Sequence, residues 1–353
     1  MAGYLTRRLL VLIPTVLIIA LITFVLMQMA PGGPWDRDPG RRGLDANASK
    51  MLDIKFGLDK PTFNCIRKLK PVTFDASTCF VSPVDTQFFS YMFWTYTDDG
   101  EFQGGAMFGN LGPSYRQRGR TVQDILFTPP ENQPFFESLA GHSLRLGVYA
   151  LIFAVVIGLP LGVLAALNHN TFLDYLSMFI STLGVSLPGF VVAIMLLIVF
   201  GTWLHWLPIA SANWHEAKNW ILPTIIMGFG TLAFTTRLTR ASMLEVMRQD
   251  YVRTARAKGL AERVVIWGHM IKNALIPVVT FLGPALAGLV TGSFIIETMF
   301  AFPGIGRQYV QSISQRDYSM IMATTLIYGV LVALANLSVD IVYSFLDPRI
   351  RLE

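Results

Sequence analysis

The sequence predicts an all-α polytopic membrane protein of about six transmembrane helices, with both termini in the cytoplasm and a long extracytoplasmic loop between the first and second spans. Composition is the first observation, because 53% of the 353 residues are hydrophobic and only 14% are charged, outside the usual range of soluble domains. Length is the second, since several apolar runs reach the roughly 20 helical residues that cross a hydrocarbon core. The third is the distribution of Lys and Arg between alternate loops.

Six apolar runs are predicted to span the membrane as helices, because backbone groups in lipid must bond one another. They are residues 9–30, 139–167, 172–204, 220–236, 274–299 and 319–345. The first run follows Arg7 and Arg8, as a signal peptide would, but no small-x-small cleavage site follows it, so we expect a retained span. The fourth run is the least regular, because Gly228 and Gly230 interrupt it.

The positions of Lys and Arg predict the orientation of these spans. With the N-terminus inside, the cytoplasmic side collects the basic residues of both termini and eight in the loop 237–272, whereas the short outer loops hold Lys218, Arg307 and Arg316. Orientation and anionic lipid therefore explain the net charge of +5, and the bilayer rather than nucleic acid is the expected partner of the basic loops.

The polar segment 31–138 is the candidate for a soluble subdomain, and it divides the chain into 1–30, 31–138 and a membrane core of 139–353. Its aromatic run 88–96, FFSYMFWTY, is compatible with a small core, a strand pair or a surface resting on the membrane. Cys65 and Cys79 both lie in this segment. Outside the membrane they favour a disulfide over two buried thiols, and the lack of a nearby His argues against a metal site.

The loop 237–272 contains helix formers and no Pro, in RASMLEVMRQDYVRTARAKGL, which predicts one or two helices against the membrane surface. One interpretation is a connector whose cations fix the topology. The other is a docking segment, in which Gly259 ends a short helix in the left-handed conformation. Its docking surface would combine small side chains with cations able to pair with acids on a partner, namely Thr254, Ala255 and Ala257 with Arg253, Arg256 and Lys258.

A gate is the second candidate feature, in the stretch SLPGFVVAIM. Pro188 removes a backbone donor and kinks a helix, and Gly189 allows another helix to approach closely, with Phe190 beside them. The alternative is ordinary packing irregularity, because Pro is frequent in membrane helices.

Arg145, Glu297 and Asp340 are charged residues within predicted spans, where ionisable groups are candidates for function. Arg145 either lines the pathway from outside or extends its charge to the interface. Glu297 either acts in the pathway, is solvated, or caps the segment after the turn that follows it. Asp340 is expected to pair with Arg237 or Arg240.

Three longer stretches resemble one family in its order: TRLTRASMLEVMRQDYVRTARAKGL, KNALIPVVTFLGPALAGLVTGSFIIETMFAFPGIGRQYVQSISQRDYSMIMA and NLSVDIVYSFLDPRIR. They are similar to permease subunits of binding-protein-dependent ABC importers, in the dipeptide, oligopeptide and nickel branch, as the B-type permease of the pair. YLTRRLLVLIPTV and MAPGGP near the N-terminus fit as well. The resemblance covers nearly the whole chain except about residues 65–115.

The resemblance implies that the docking segment is a coupling helix, known in the family by Glu-Ala-Ala followed by Gly. The matching positions here are Arg253, Thr254 and Ala255, with Gly259 in register, so the Glu is absent. It also implies that an outer segment contacts the binding protein, for which the candidates are Phe302, Pro303, Gly304 and Arg307.

The implied function is ATP-driven import of dipeptides or oligopeptides across a bacterial inner membrane, or of nickel, haem or another small solute by the same class of importer. The expected partners are a second homologous permease, two ATPase subunits and a solute-binding protein. No Gly-x-x-x-x-Gly-Lys-Ser/Thr loop is present, so ATP and Mg are expected on the ATPase subunits and no cofactor on this non-enzymatic chain. A secondary transporter or membrane-embedded enzyme would need more charged or convergent groups in the spans.

Overall fold

The structure is a computed structural model that describes residues 2–30, 32–35, 46–63, 66–69, 72–74, 85–96, 102–117, 119–209, 213–290 and 294–346. Cys65 and Cys79 lie outside these residues, so their disulfide stays a prediction. The chain divides into two compact units. The first unit comprises Met1–Arg8, Ala140–Arg307 and Leu331–Glu353, and the second comprises Leu9–Leu139 and Gln308–Val330.

Helices dominate the described residues. In chain order they are α1 (Ala2–Met29), α2 (Ala46–Lys55), α3 (Gln87–Met92), α4 (Val122–Phe127), α5 (Leu139–Leu167), α6 (Phe172–Ser186), α7 (Gly189–Leu196), α8 (Ala217–Met247), α9 (Asp250–Ala257), α10 (Glu262–Val264), α11 (Ile271–Val290), α12 (Phe294–Met299), α13 (Ile305–Gln315) and α14 (Tyr318–Leu346). Two π-helices, Leu197–Trp203 and Val265–Met270, continue α7 and connect α10 to α11.

Five of the described helical segments are long and apolar enough to cross a membrane, and a sixth is added if one bent pair counts as a single span. The five are Leu10–Met29, Leu139–Leu167, Ala217–Met247, Glu262–Met299 and Tyr318–Ser338. The second predicted span is confirmed at its predicted bounds. The third is instead two helices, because α6 and the segment from Gly189 to Trp203 meet at 113°.

The fourth predicted span is confirmed as a helix, because α8 runs unbroken for 31 residues through both Gly228 and Gly230. A Cβ at Gly228 would lie 2.6 Å from the backbone carbonyl oxygen of Ala150 on α5. Small residues let membrane helices approach closely, so Gly228 serves packing between helices rather than breaking one.

Two glycines of α5 extend this close contact with α8. A Cβ at Gly162 would lie 2.6 Å from both the carbonyl oxygen of Thr236 and the Cβ of Thr239. At Gly158 the backbone carbonyl accepts a hydrogen bond of 3.2 Å from the Thr236 hydroxyl, which also donates to Leu232 within its own helix. Helices α5 and α8 therefore pack so closely that their backbones are in direct contact.

The second unit packs α1 against the start of α14, with short elements of the segment 31–138 around them. Its core includes Phe24 and Met27 of α1, Met92 of α3 and Met322 of α14. The described residues of this unit include two antiparallel strand pairs, β1 (Ile66–Leu69) with β2 (Val72–Phe74) and β3 (Trp94–Tyr96) with β4 (Phe102–Gly104). The aromatic run 88–96 thus forms most of α3 and the strand β3 and adds Met92 to the core.

Asp317 joins the segment 31–138 to the start of α14 within the second unit. Its carboxylate accepts hydrogen bonds from the Ser114 hydroxyl and the Tyr115 backbone N–H, the latter at 3.1 Å. It also accepts one of 3.3 Å from the backbone N–H of Met320, which caps the first turn of α14. One buried side chain thereby satisfies donors on two separate stretches of chain.

We expect Asp317→Ala to lower the free energy of unfolding by about 2 kcal/mol, because it removes a helix cap and leaves a buried hydroxyl without its acceptor. Thermal unfolding of the detergent-solubilised chain measures the change. Asp85→Ala is the matched control, since Asp85 forms an exposed ion pair of 3.8 Å with Lys60. Such pairs contribute about 1 kcal/mol or less, so equal losses in the two variants would contradict this role of Asp317.

Candidate functional site

The predicted docking helix is α9, and it ends as the sequence predicts. Gly259 lies just beyond it with φ of +75°, in the left-handed region. The backbone N–H of Gly259 donates to the Arg256 carbonyl at 2.9 Å, and that of Leu260 donates to the Ala255 carbonyl at 3.4 Å. This pair of bonds is a Schellman motif, which requires a residue that tolerates positive φ at Gly259.

One face of α9 is anchored in the first unit. Val252 and Ala255 are buried, and they pack in a cluster with Met243 near the end of α8 and with Val265 and Met270 of the following π-helix. The sequence grouped Ala255 with the docking residues, but its side chain is 5% exposed and faces this cluster. Ala255 therefore holds the helix in place, and its small size lets the backbone of α9 lie close to its support.

The opposite face of α9 is exposed, and it carries most of the predicted docking residues, namely Arg253, Thr254, Arg256, Ala257 and Lys258. Arg253 pairs with Asp250 at 3.7 Å, and Arg256 donates to Glu262 at 2.6 Å. The hydrogen bond to Glu262 raises the pKa of Arg256, so its charge persists at any physiological pH. Exposed pairs of this kind contribute little stability, so the cations remain available to acids on a partner.

The predicted gate residues lie at the 113° bend between α6 and α7. Pro188 is the N-cap of α7, and Leu187 before it has an extended backbone, which is the conformation that a following Pro favours. Gly189 begins α7, and no atom lies within 4 Å of the place where its Cβ would be. Leu187 is half-buried, whereas Pro188, Gly189 and Phe190 are exposed in this chain.

A cavity of about 270 Å³ lies beside this bend in the first unit. Its wall is mostly glycine and apolar side chains, including Gly184, Gly189, Val192, Gly230, Gly288 and Ile296. Glycines and apolar side chains form no side-chain hydrogen bonds that a moving helix would have to break. The bend therefore has free volume beside it.

Arg145 lies in an aromatic cluster of the first unit. Its guanidinium carbon is 4.7 Å from the ring centroid of Trp220, a cation–π contact. Trp220 also stacks on His142 and donates from its indole N–H to the carbonyl of Trp214 at 2.6 Å. Arg145 is half-buried among these rings and held by them.

Glu297 is fully buried, and its carboxylate accepts a hydrogen bond of 3.1 Å from the Ser143 hydroxyl and another of 3.1 Å from the backbone N–H of Arg307. The Ser143 hydroxyl in turn accepts one of 2.9 Å from the backbone N–H of Ile305. Glu297 and Ser143 together cap the first turn of α13, where a negative charge is favourable. Of the open alternatives for Glu297, its burial is incompatible with the solvated one, and its contacts are those of a cap.

The predicted binding-protein contact is only partly at the surface. Phe302 is completely buried, with its ring centroid 4.7 Å from that of Trp214 and 5.1 Å from that of Trp220, and Gly304 is buried as well. Pro303 and Arg307 are partly exposed. The family resemblance made Phe302 a candidate for this contact, but its ring packs into the aromatic cluster of the first unit.

The sequence missed a largely buried ion pair between two helices of the first unit. Arg240 of α8 binds Asp174 of α6. The side chain of Asp340 lies outside the described part of the chain, so its predicted pairing with Arg237 or Arg240 stays a prediction. Sequence reasoning had a usable signal, because Asp174 sits in the first turn of an otherwise apolar helix. A carboxylate there needs a partner, yet its partner lies 66 positions away.

A larger cavity, of about 450 Å³, lies in the second unit and contains none of the predicted site residues in its described wall. Aromatic and amide side chains line it, including Phe24, Gln28, Gln87, Tyr91, Tyr115 and Tyr318. Burial raises the pKa of both Tyr91 and Tyr115, so these hydroxyl groups stay neutral.

Comparison with known proteins gives concordant matches. The family described as binding-protein-dependent transport system inner membrane component matches residues 158–352. The dipeptide transport system permease protein DppB of Bacillus subtilis (strain 168) is 38% identical over 100% of this chain and 99% of its own length. The oligopeptide transport system permease protein OppB of Salmonella typhimurium is 36% identical over 99% of this chain and 100% of its own length.

A solved chain of the MetNI methionine ABC transporter in an inward-facing conformation has a TM-score of 0.48 and 17% identity, covering 59% of this chain and 94% of that one. The alignments with these two relatives also include residues 65–115, the part of the chain that the resemblance to the family did not cover.

Proposed function

The chain belongs to the family of inner membrane components of binding-protein-dependent transport systems, and from this membership we propose that it is a permease subunit of an ABC importer for dipeptides and oligopeptides. The relatives that match it over nearly their full length are named as dipeptide and oligopeptide transport permeases. The chain forms the translocation pathway with a second, homologous permease, and a solute-binding protein delivers the peptide.

The coupling role is supported by one observation: α9 has one buried face and one exposed face. Its inner face is fixed to α8 and to the π-helix before α11 by Val252 and Ala255, whereas its outer face presents cations and small residues. A short helix held this firmly transmits force from a docked partner to the spans on either side. We assign the exposed face of α9, with Gly259, as the contact with an ATPase subunit.

The bend at Pro188 is the proposed gate. In alternating access, the ATPase subunits close on binding ATP, and α9 carries that movement into the bundle. The bend concentrates a change of direction at two residues, and the cavity beside it gives α7 space to shift. Hinges of this kind are a few residues at the ends of elements that absorb the change in φ and ψ.

ATP and Mg bind to the separate ATPase subunits in this proposal, and the chain itself moves solute without catalysing a reaction. It lies in the bacterial inner membrane as a multi-pass protein, with α9 and both termini on the cytoplasmic side. The excess of Lys and Arg in the loop 237–272 supports that orientation.

Co-purification tests the assembly. The chain is tagged at its C-terminus, extracted gently from native membranes, and its partners are identified by mass spectrometry. We expect a second permease and two ATPase chains, with a binding protein captured when peptide is added. A folded chain that emerges alone from membranes containing the other subunits would contradict the proposal.

A further inference from the structure

Arg240 and Asp174 form a two-pronged ion pair between α8 and α6. The Nε of Arg240 donates to one carboxylate oxygen of Asp174, and its Nη2 donates to the other at 2.8 Å. The Asp174 side chain is 2% exposed and that of Arg240 is 19% exposed. Paired parallel bonds of this kind fix orientation as well as distance.

The remaining contacts of the pair bind the turn between α5 and α6. The backbone N–H of Asn170 donates to Asp174 at 3.0 Å. The Nδ1 of His169 lies 3.2 Å from an Asp174 oxygen and 3.2 Å from the Nη2 of Arg240. The carboxylate thus ties three stretches of the first unit together at one point.

The pair joins the helix that leads into α9 to the helix that leads into the bend. Arg240 precedes the end of α8 at Met247 by about two turns, and α9 begins at Asp250. Asp174 is in the first turn of α6, which then runs about 18 Å to the bend at Pro188. Farther along the same two helices, Gly184 packs against Ala233 and Phe229 through small and apolar contacts.

Apolar contacts between helices resist sliding weakly, because small shifts cost little, whereas a two-pronged ion pair holds both register and rotation. We infer that Asp174 and Arg240 are positioning residues that transmit movement of α9 through α8 to α6 and the bend. They thereby determine how much peptide is imported for each ATP hydrolysed. This inference rests on the proposed function of the chain.

The pair also stabilises the fold. A test of its role in transport therefore uses variants that lose the pair and still fold. Removing one partner of a buried pair leaves an uncompensated charge, whereas replacing both by apolar residues is often neutral for stability. Arg240→Lys keeps the charge but loses the planar two-pronged geometry. The double variant Asp174→Leu with Arg240→Met removes the pair altogether.

The experiment compares peptide uptake with ATP hydrolysis in proteoliposomes that hold the complete transporter and its binding protein. We expect Arg240→Lys and the double variant to hydrolyse ATP, to melt within a few degrees of the wild type, and to import about fivefold less peptide per ATP. Arg237→Lys is the matched control, because it makes the same change at an exposed position of α8, and it keeps the wild-type ratio.

A wild-type ratio of uptake to hydrolysis in both variants would overturn the inference and leave the pair a folding contact. The same conclusion follows if the double variant fails to fold while Arg240→Lys keeps the wild-type ratio. Failure of the proposed function looks different, because the wild-type transporter itself would then show no ATP-dependent uptake of peptide.

Discussion

Replacing Gly259 by Leu is expected to separate ATP hydrolysis from transport, so that peptide uptake falls by about tenfold or more while hydrolysis continues. No atom of the chain lies within 4 Å of the place where a Cβ of Gly259 would be. The new side chain therefore projects from the end of α9 into whatever docks there. Its positive φ adds strain of about 1–2 kcal/mol, which the anchored helix tolerates. Uptake and phosphate release are measured in the same proteoliposomes.

Two variants distinguish loss of docking from backbone strain. Gly259→Asn keeps a residue that tolerates positive φ and adds little bulk, so it retains most of the coupling. Gly109→Leu places the same strain at φ of +86° in the second unit, again with open space around it, and leaves transport unchanged. If Gly259→Leu keeps the wild-type ratio of uptake to hydrolysis, α9 is not the contact through which ATP acts.

Gly162→Leu is expected to have the largest effect on the fold, lowering the free energy of unfolding by about 3 kcal/mol. Even a Cβ at this position would lie 2.6 Å from the backbone carbonyl of Thr236, so α5 must move away from α8. That movement also strains the hydrogen bond from Thr236 to the Gly158 carbonyl. Thermal unfolding in detergent and the yield of folded chain report the loss.

Gly268→Leu is the control for Gly162→Leu, because it adds the same side chain at an exposed glycine, where no atom lies within 4 Å of the position that a Cβ would take. It should change the melting temperature little. Equal melting temperatures for Gly162→Leu and the wild type would mean that the two helices pack differently from the arrangement described.

The features that the sequence predicted well depend on local rules. Apolar length located the membrane helices, because lipid leaves the backbone no other way to satisfy its hydrogen bonds. Gly259 was placed at a helix end because few other residues accept its φ. The position of the bend at Pro188 follows from the missing N–H of proline, but its angle of 113° depends on packing around it.

The features that the sequence missed depend on distant parts of the chain. Gly228 has the same local signal as a helix breaker, and only the approach of α5 shows that it serves packing. Phe302 borders a turn, and only the position of Trp214 and Trp220 shows that it is buried. The partner of Arg240 lies on α6, and nothing in the residues around Arg240 identifies it.

ATP-driven uptake of a labelled dipeptide into proteoliposomes tests the central claim most directly. The vesicles contain this chain, its second permease and the ATPase subunits, with ATP on the side of the ATPases and the binding protein on the other. Peptide is expected to accumulate only when ATP and binding protein are both present, and to stop accumulating when ATP is replaced by a non-hydrolysable analogue. Accumulation by this chain alone, driven by an ion gradient without ATP, would contradict its assignment as an ABC importer permease.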